Sequence, residues 1–188
     1  MLAGCSAKFQ IESGLFSSVA VYQDLVFAVA NQPGTPSTVH VYRFCGGGSS
    51  SNHSWEKIIC FSTISGWVTM SVRNEQIRLC AQHRHDVTVY SNRGDELLRT
   101  YDTNTGSGDD GESRCLDNAF ICDDDVDASV LIADRNNNRL QVMSEHGEFS
   151  VLQLQPQVSW PRSAVLFKND LFVMSMDKKT IHKYMCGP

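Results

Sequence analysis

The chain has 188 residues, 41% of them hydrophobic and 20% charged, with a net charge of −5. That composition suits one globular domain and excludes both a disordered tail and a generally basic nucleic-acid-binding protein. No run approaches the ~18 apolar residues of a membrane span, and no secretory leader is visible.

Taken in chain order, short apolar segments alternate with polar turns, and no stretch keeps a helical period. A lone segment, Lys8–Ser13, comes first. A unit of four strands then follows: Ser18–Val21, Leu25–Ala30, Thr38–Tyr42 and Trp55–Phe61. The second unit reads Thr69–Val72, Gln76–Ala81, Asp86–Tyr90 and Glu96–Tyr101. The third reads Asn118–Ile121, Ser129–Asp134, Arg139–Met143 and Phe149–Leu154. The fourth stops after three strands, Ala164–Phe167, Leu171–Ser175 and Thr180–Tyr184. Turns such as Gln23-Asp24, Asn74-Glu75 and Asn169-Asp170 use residues that tolerate positive φ or bond their own backbone.

The third strands end at Tyr42, Tyr90, Met143 and Tyr184, spaced by 48, 53 and 41 residues. Blades of a β-propeller recur every ~40–50 residues. The longest step contains the Gly-, Ser- and Asp-rich stretch Thr103–Ser113, which is loop material. The expected fold is therefore all-β: a propeller of four-stranded antiparallel blades, about four of them, in a single domain over 1–188. The blades span roughly 14–61, 66–101, 116–155 and 161–185, with an orphan strand at 8–13. Two arrangements remain open. The orphan strand pairs beside Thr180–Tyr184 and closes a four-bladed ring, or the chain is the C-terminal part of a larger, six-bladed ring. An open arc leaves blade faces and edges bare; the second arrangement is the favoured expectation because the resemblance described next implies larger rings.

The segment Ile132–Val142, IADRNNNRLQV, carries a more specific signature. Ala133, Asp134, Asn137, Arg139 and Leu140 resemble the hallmark of an NHL repeat without a gap. In physical terms, Asp134 accepts backbone N–H groups and pairs with Arg139 across the turn, while the asparagines take the strained turn angles. The other blades are degenerate. The fourth has Ser175, Lys178 and Thr180 at the Asp, Asn and Arg places, the second has Ala81, Arg84 and Asp86, and the first has the longer loop Asn31–Ser37. The chain is most similar to the C-terminal propeller of tripartite-motif proteins. That resemblance implies a six-bladed ring binding protein partners or RNA, with ubiquitin transfer carried by a RING domain. No C-x-x-C pair of a zinc module occurs in this sequence.

Seven cysteines (Cys5, Cys45, Cys60, Cys80, Cys115, Cys122, Cys186) form an odd set, read as small buried hydrophobes with free thiols in a reducing cytoplasm. Leu2-Ala3-Gly4-Cys5 lacks the regions that precede a lipoprotein cleavage box, and the Asn52-His53-Ser54 sequon counts only in a secreted chain.

Charge separates along the repeat. Turns between second and third strands share one face of a propeller and hold His83, Arg84, His85, Arg135, Arg139, Lys178 and Lys179. Turns between first and second strands share the other face and hold Asp24, Glu75, Asp123, Asp124, Asp125, Asp127 and Asp170. The basic face is the expected contact surface for a protein partner or single-stranded RNA. Asp109, Asp110 and Glu112 return to it and weaken its field. Trp160 reads as a packing residue between blades, with base stacking as the alternative. The acidic run Asp123–Asp127 lacks the glycine and distal glutamate of a calcium loop, and the six histidines show no metal spacing. No catalytic residue, metal or cofactor is expected. The first reading is a protein-interaction propeller, the substrate-recruiting part of a tripartite-motif-like ubiquitin-ligase system. An RNA-binding propeller using the same face and a metal-dependent lyase or hydrolase are the alternatives.

Overall fold

The computed structural model describes residues 15–31, 34–45, 54–81, 84, 86–94, 96–102, 119–123, 129–167, 170–177 and 179–185. Among them every regular element is a strand. Blade 1 comprises β1 (Leu15–Tyr22), β2 (Leu25–Asn31), β3 (Pro36–Cys45) and β4 (Ser54–Ser65). Blade 2 comprises β5 (Val68–Arg73), β6 (Gln76–Ala81), β7 (Asp86–Ser91) and β8 (Leu97–Asp102). Blade 3 comprises β9 (Ala119–Asp123), β10 (Val130–Asp134), β11 (Arg139–Met143) and β12 (Phe149–Leu152). Blade 4 has three strands, β13 (Pro161–Phe167), β14 (Asp170–Ser175) and β15 (Thr180–Met185). Each sheet is an antiparallel meander in sequence order. The proposed orphan strand Lys8–Ser13 lies outside the described residues.

The first strands of blades 1 and 4 begin earlier than their alternation suggests, because each contains a bulge. In β1 it falls between Phe16 and Ser18, and in β13 between Pro161 and Ser163. A bulge shifts the two-residue period by one and hides the strand's start. Pro161 is tolerated as the first residue of β13, where no ladder N–H is demanded.

Blades pack face to face through alternate residues of their strands. Phe27, Val29, Val39 and Val41 of blade 1 meet Val68, Met70, Val72, Ile77 and Leu79 of blade 2. Cys80 and Val87 meet Ile121, Val130, Ile132 and Met143 across the second junction. Leu131, Ala133 and Leu140 meet Ala164, Leu171 and Val173 across the third. Burying such side chains contributes about 1.5–3 kcal/mol each, so these three thin cores hold the arc together. Among the described residues the blades pack only in series, and the first strands of blades 1 and 4 turn exposed side chains outward, Val19 at 68% and Val165 at 51%, although Ala28, Ala30, His40 and Tyr42 on the outward side of β2 and β3 are buried. The series of blades is therefore an open arc.

On the edge carrying the turns between third and fourth strands, glycine sets the spacing. A Cβ on Gly94 would lie 2.0 Å from the Phe61 ring of blade 1, and one on Gly147 would lie 1.9 Å from the Tyr101 ring of blade 2. Both glycines have positive φ, +70° and +84°. The same lock, an aromatic of one blade on a glycine of the next, is thus used twice.

Candidate functional site

The turns between second and third strands and the linkers that enter each first strand lie on one face of the arc. In blade 3 this face is anchored from below. Asp134, with no exposed surface, accepts hydrogen bonds from Asn137 Nδ2 at 3.0 and 2.9 Å and from Arg139 Nε at 2.8 Å. Asp134 and Arg139 are register partners across the hairpin, and Asn138 takes the left-handed conformation, with φ +52°. The expected pairing of Asp134 with Arg139 and the use of an asparagine at the strained angle are both present. Asn137 adds a second donor and closes the clamp.

Blade 2 reaches the same end by a different route. Arg84 grips Asp86 through two hydrogen bonds, Nε to Oδ1 at 2.7 Å and Nη2 to Oδ2 at 2.9 Å. Asp86 stands where blade 3 has Arg139 and Arg84 where it has Asn137, so the acid has moved to the third strand and its basic partner into the turn, with Ala81 at the place of Asp134. Cys80, fully buried, is next to both clamps. Burial pushes its thiol up to about 12, and Asp86 and Asp134 add to the shift. Blades 1 and 4 clamp through a serine hydroxyl. Ser37 Oγ donates to Asn31 Oδ1 at 2.7 Å, and Ser175 Oγ shares its one proton between Asp177 Oδ1 and the Ser159 carbonyl.

Above the third clamp sits the most distinctive surface feature. Trp160 is 49% exposed and adopts φ +50°, a conformation rare for a bulky side chain. Two neighbours hold it there. Its N–H donates to Asn138 Oδ1 at 2.8 Å, and its carbonyl accepts from the Met176 N–H at 3.1 Å. The Arg135 guanidinium lies 5.9 Å from the indole centroid, within cation–π range. Arg135 and Arg162 both direct Nη1 at the Met176 sulfur, at 3.7 and 3.3 Å. The result is an indole beneath the Arg135 guanidinium, beside a Met176 sulfur that Arg135 and Arg162 share, with its backbone strain offset by bonds to blades 3 and 4.

Trp67 occupies the corresponding place before β5 and is 43% exposed. The carbonyl of the preceding Gly66 is held by Ser37 Oγ at 2.8 Å. The same linker position, pinned by the preceding blade's turn, thus presents a tryptophan twice. Trp160, expected to pack between blades, bonds through its backbone to blades 3 and 4 but leaves about half of its surface, 49%, exposed.

Of the contact residues expected from sequence, Arg84, Arg135, Arg139 and Lys179 lie on this face. Lys179 is exposed at a turn with φ +53°. The Arg139 side chain is only 14% exposed and is committed to the Asp134 clamp. His83, His85 and Lys178 lie outside the described residues, as do the loop with Asp109, Asp110 and Glu112 and the acidic residues Asp124, Asp125 and Asp127. Trp67, Arg162 and Met176 were not anticipated. The signal for the tryptophans was their shared position immediately before a first strand.

On the opposite face two of the expected acids are paired. Asp24 pairs with Arg43 at 3.2 Å and Asp170 with Lys183 at 2.8 Å. Among the described residues no three metal-binding side chains converge, and no helix is long and apolar enough to cross a membrane. Cys45, Cys60 and Cys80 are free thiols. Cys60 is exposed, contrary to the expectation that strand cysteines are buried, because it lies on an outward position of β4.

The chain matches no protein-family model and no curated protein sequence. Solved structures do resemble it. The computationally designed Ika4 protein superposes with a TM-score of 0.59 at 12% identity, over 96% of each chain. A chain of a nidogen–laminin complex gives 0.56 at 12% identity, over 92% of this chain and 76% of that one. Streptogramin B lyase gives 0.55 at 11% identity, over 94% of this chain and 56% of that one. The fold is a β-propeller. At such identities the likeness is one of fold, and this chain spans little more than half of the lyase. The propeller described here has blades 1 to 4 in an open arc.

Proposed function

We propose that the chain is a protein-interaction propeller whose recognition surface is the face bearing Trp67, Arg84, Arg135, Trp160, Arg162 and Lys179. The observation that carries this reading is Trp160, an exposed indole held at φ +50° beneath a guanidinium. Strained residues are retained where structure over-determines them, commonly at binding sites. Tryptophan and arginine dominate the energetics of protein interfaces. A preformed indole also spares the entropy of ordering a side chain on binding. The partner surface that suits an indole under a guanidinium, on a face that also bears Arg84, Arg162 and Lys179, is acidic with an apolar centre. The nidogen–laminin structure is itself a complex of proteins, and it adds support to recognition of a protein.

The resemblance of Ile132–Val142 to an NHL hallmark supports a narrower reading, a substrate-recruiting module of a tripartite-motif-like ubiquitin-ligase system. In that reading the transfer chemistry belongs to a RING domain. This chain alone, given ubiquitin-activating and -conjugating enzymes, would transfer nothing, and its fusion to a RING would modify captured partners.

The test uses fluorescence anisotropy at low and physiological salt, with two probes: a pool of short acidic peptides containing apolar residues, and a pool of short single-stranded RNAs. The reading predicts peptide binding with modest salt dependence. Micromolar RNA binding that weakens steeply with salt, without peptide binding, would overturn it in favour of a nucleic-acid site.

A further inference from the structure

Trp67 and Trp160 form a pair across the recognition face. Each ends the linker that enters a first strand, Trp67 immediately before β5 and Trp160 immediately before β13. First strands of neighbouring blades touch in series, β5 on β9 and β9 on β13. The starts of these strands therefore share one face, with blade 3 between the two indoles. The matching position before β9, Asn118, lies outside the described residues. Both linkers are pinned by an asparagine side chain of the blade behind. Asn138 Oδ1 of blade 3 accepts the Trp160 N–H at 2.8 Å. Asn31 Oδ1 of blade 1 accepts the N–H of Val68, the residue after Trp67, at 3.4 Å. Ser37 Oγ, bonded to the same Asn31, holds the carbonyl of Gly66, the residue before Trp67. The backbones are thus fixed while the side chains stand 43% and 49% exposed.

Spacing and charge then define what fits across the pair. Packed sheets lie about 10 Å apart, so two junctions separate the indoles by about 20 Å. An extended peptide rises about 3.3 Å per residue and covers that distance in about six residues. Six is an even step, which returns a side chain to the same side of an extended peptide. The surroundings of the two indoles differ. The Arg135 guanidinium lies 5.9 Å from the Trp160 centroid, and Arg162 is directed at the neighbouring Met176 sulfur at 3.3 Å. In the turn of blade 2, Arg84 is instead directed at a carboxylate, Asp86, through two hydrogen bonds. An acidic group on a ligand is therefore drawn to the Trp160 end.

We infer that the recognition face binds one extended segment of a protein partner through two apolar side chains about six residues apart, one on each tryptophan, with a carboxylate beside the anchor at Trp160. The inference rests on the protein-interaction reading above and adds the form of the ligand. Each indole alone offers a small contact. Two anchors on one peptide make the second contact intramolecular, so the affinity exceeds that of either alone. Because both linkers are pinned, the spacing of the indoles is set before the peptide arrives, and the spacing of the anchors becomes a specificity element.

The test is fluorescence anisotropy on the intact chain with three synthetic peptides built on serine. The first carries two leucines six residues apart, with glutamates flanking one of them. The second places its leucines two residues apart, and the third keeps only the leucine flanked by glutamates. The first is expected to bind about tenfold or more tighter than the other two. Trp67→Ala and Trp160→Ala, both folded by circular dichroism, are each expected to remove that advantage. The third peptide is expected to weaken with Trp160→Ala and to ignore Trp67→Ala. Equal affinity for the three peptides, or a first peptide indifferent to Trp67→Ala, overturns the inference and leaves recognition centred on Trp160 standing. A first peptide that neither substitution weakens overturns the inference together with the reading it rests on. Absence of binding by all three at hundreds of micromolar overturns the inference alone, because the peptide and RNA pools decide the underlying reading separately.

Discussion

On one face of the arc Gly94 and Gly147 lie flat against Phe61 and Tyr101 of the preceding blades, whereas on the other Trp160 and Trp67 stand in solvent. Both faces use left-handed backbone. At Gly94 and Gly147 that conformation is free of strain and lets an aromatic ring close the space, while Gln23, Asn74 and Glu75 adopt it in tight hairpin turns. On the tryptophan face it is adopted by a bulky residue and costs about 1 kcal/mol or more. The contrast separates what the fold requires from what it tolerates. A surface maintained only for stability has no use for an exposed indole in a strained conformation.

The sharpest way to break the comparison is from underneath. Asp134→Ala removes a fully buried carboxylate and strands Arg139 and Asn137. Breaking such a pair costs about 3 kcal/mol, read as a lower urea midpoint with unchanged slope. The recognition surface is expected to fail with it, because Asn138, which holds Trp160, belongs to the same turn. Next in size is Gly147→Ala, where the new methyl collides with Tyr101 and φ +84° disfavours any side chain. A loss of about 2 kcal/mol in the same titration is expected, with binding by the other face unaltered in the folded fraction.

Trp160→Gly is predicted to act in the opposite sense. Glycine relieves the strained φ, so stability is expected to rise by about 1 kcal/mol or stay level while partner binding is lost. A clear loss of stability would instead make Trp160 a structural residue. The smallest effect concerns Cys80, whose thiol, pushed up to about 12, stays protonated and enclosed between the clamps. Alkylation at pH 8 followed by peptide mapping is expected to spare Cys80 in the folded chain and to modify exposed Cys45 and Cys60. Labelling of native Cys80 would show that the second junction opens.

The order of strands was legible because each hairpin is written in alternation and turn chemistry, as in Gln76–Ala81 and Arg139–Met143, whose bounds the structure reproduces. The Asp134–Arg139 clamp was legible for a similar reason: a buried carboxylate needs a donor, and the hairpin brings one opposite. The starts of β1 and β13 were not, since a bulge breaks the alternation that reveals a strand. The exposure of Trp160 was hidden as well. A tryptophan between two blades reads as packing, and its positive φ is not legible in the sequence. Nor does an apolar run such as Leu171–Ser175 say which of its side chains a neighbouring blade covers.

The most direct test of the recognition face is selection of binders from a random peptide library on the intact chain, followed by affinity measurement on three variants. Binding is predicted to weaken about tenfold or more with Trp160→Ala and with Arg135→Glu, and to be unchanged with Glu75→Lys on the opposite face. Peptides that bind all three variants equally, or that lose affinity only with Glu75→Lys, would contradict the assignment.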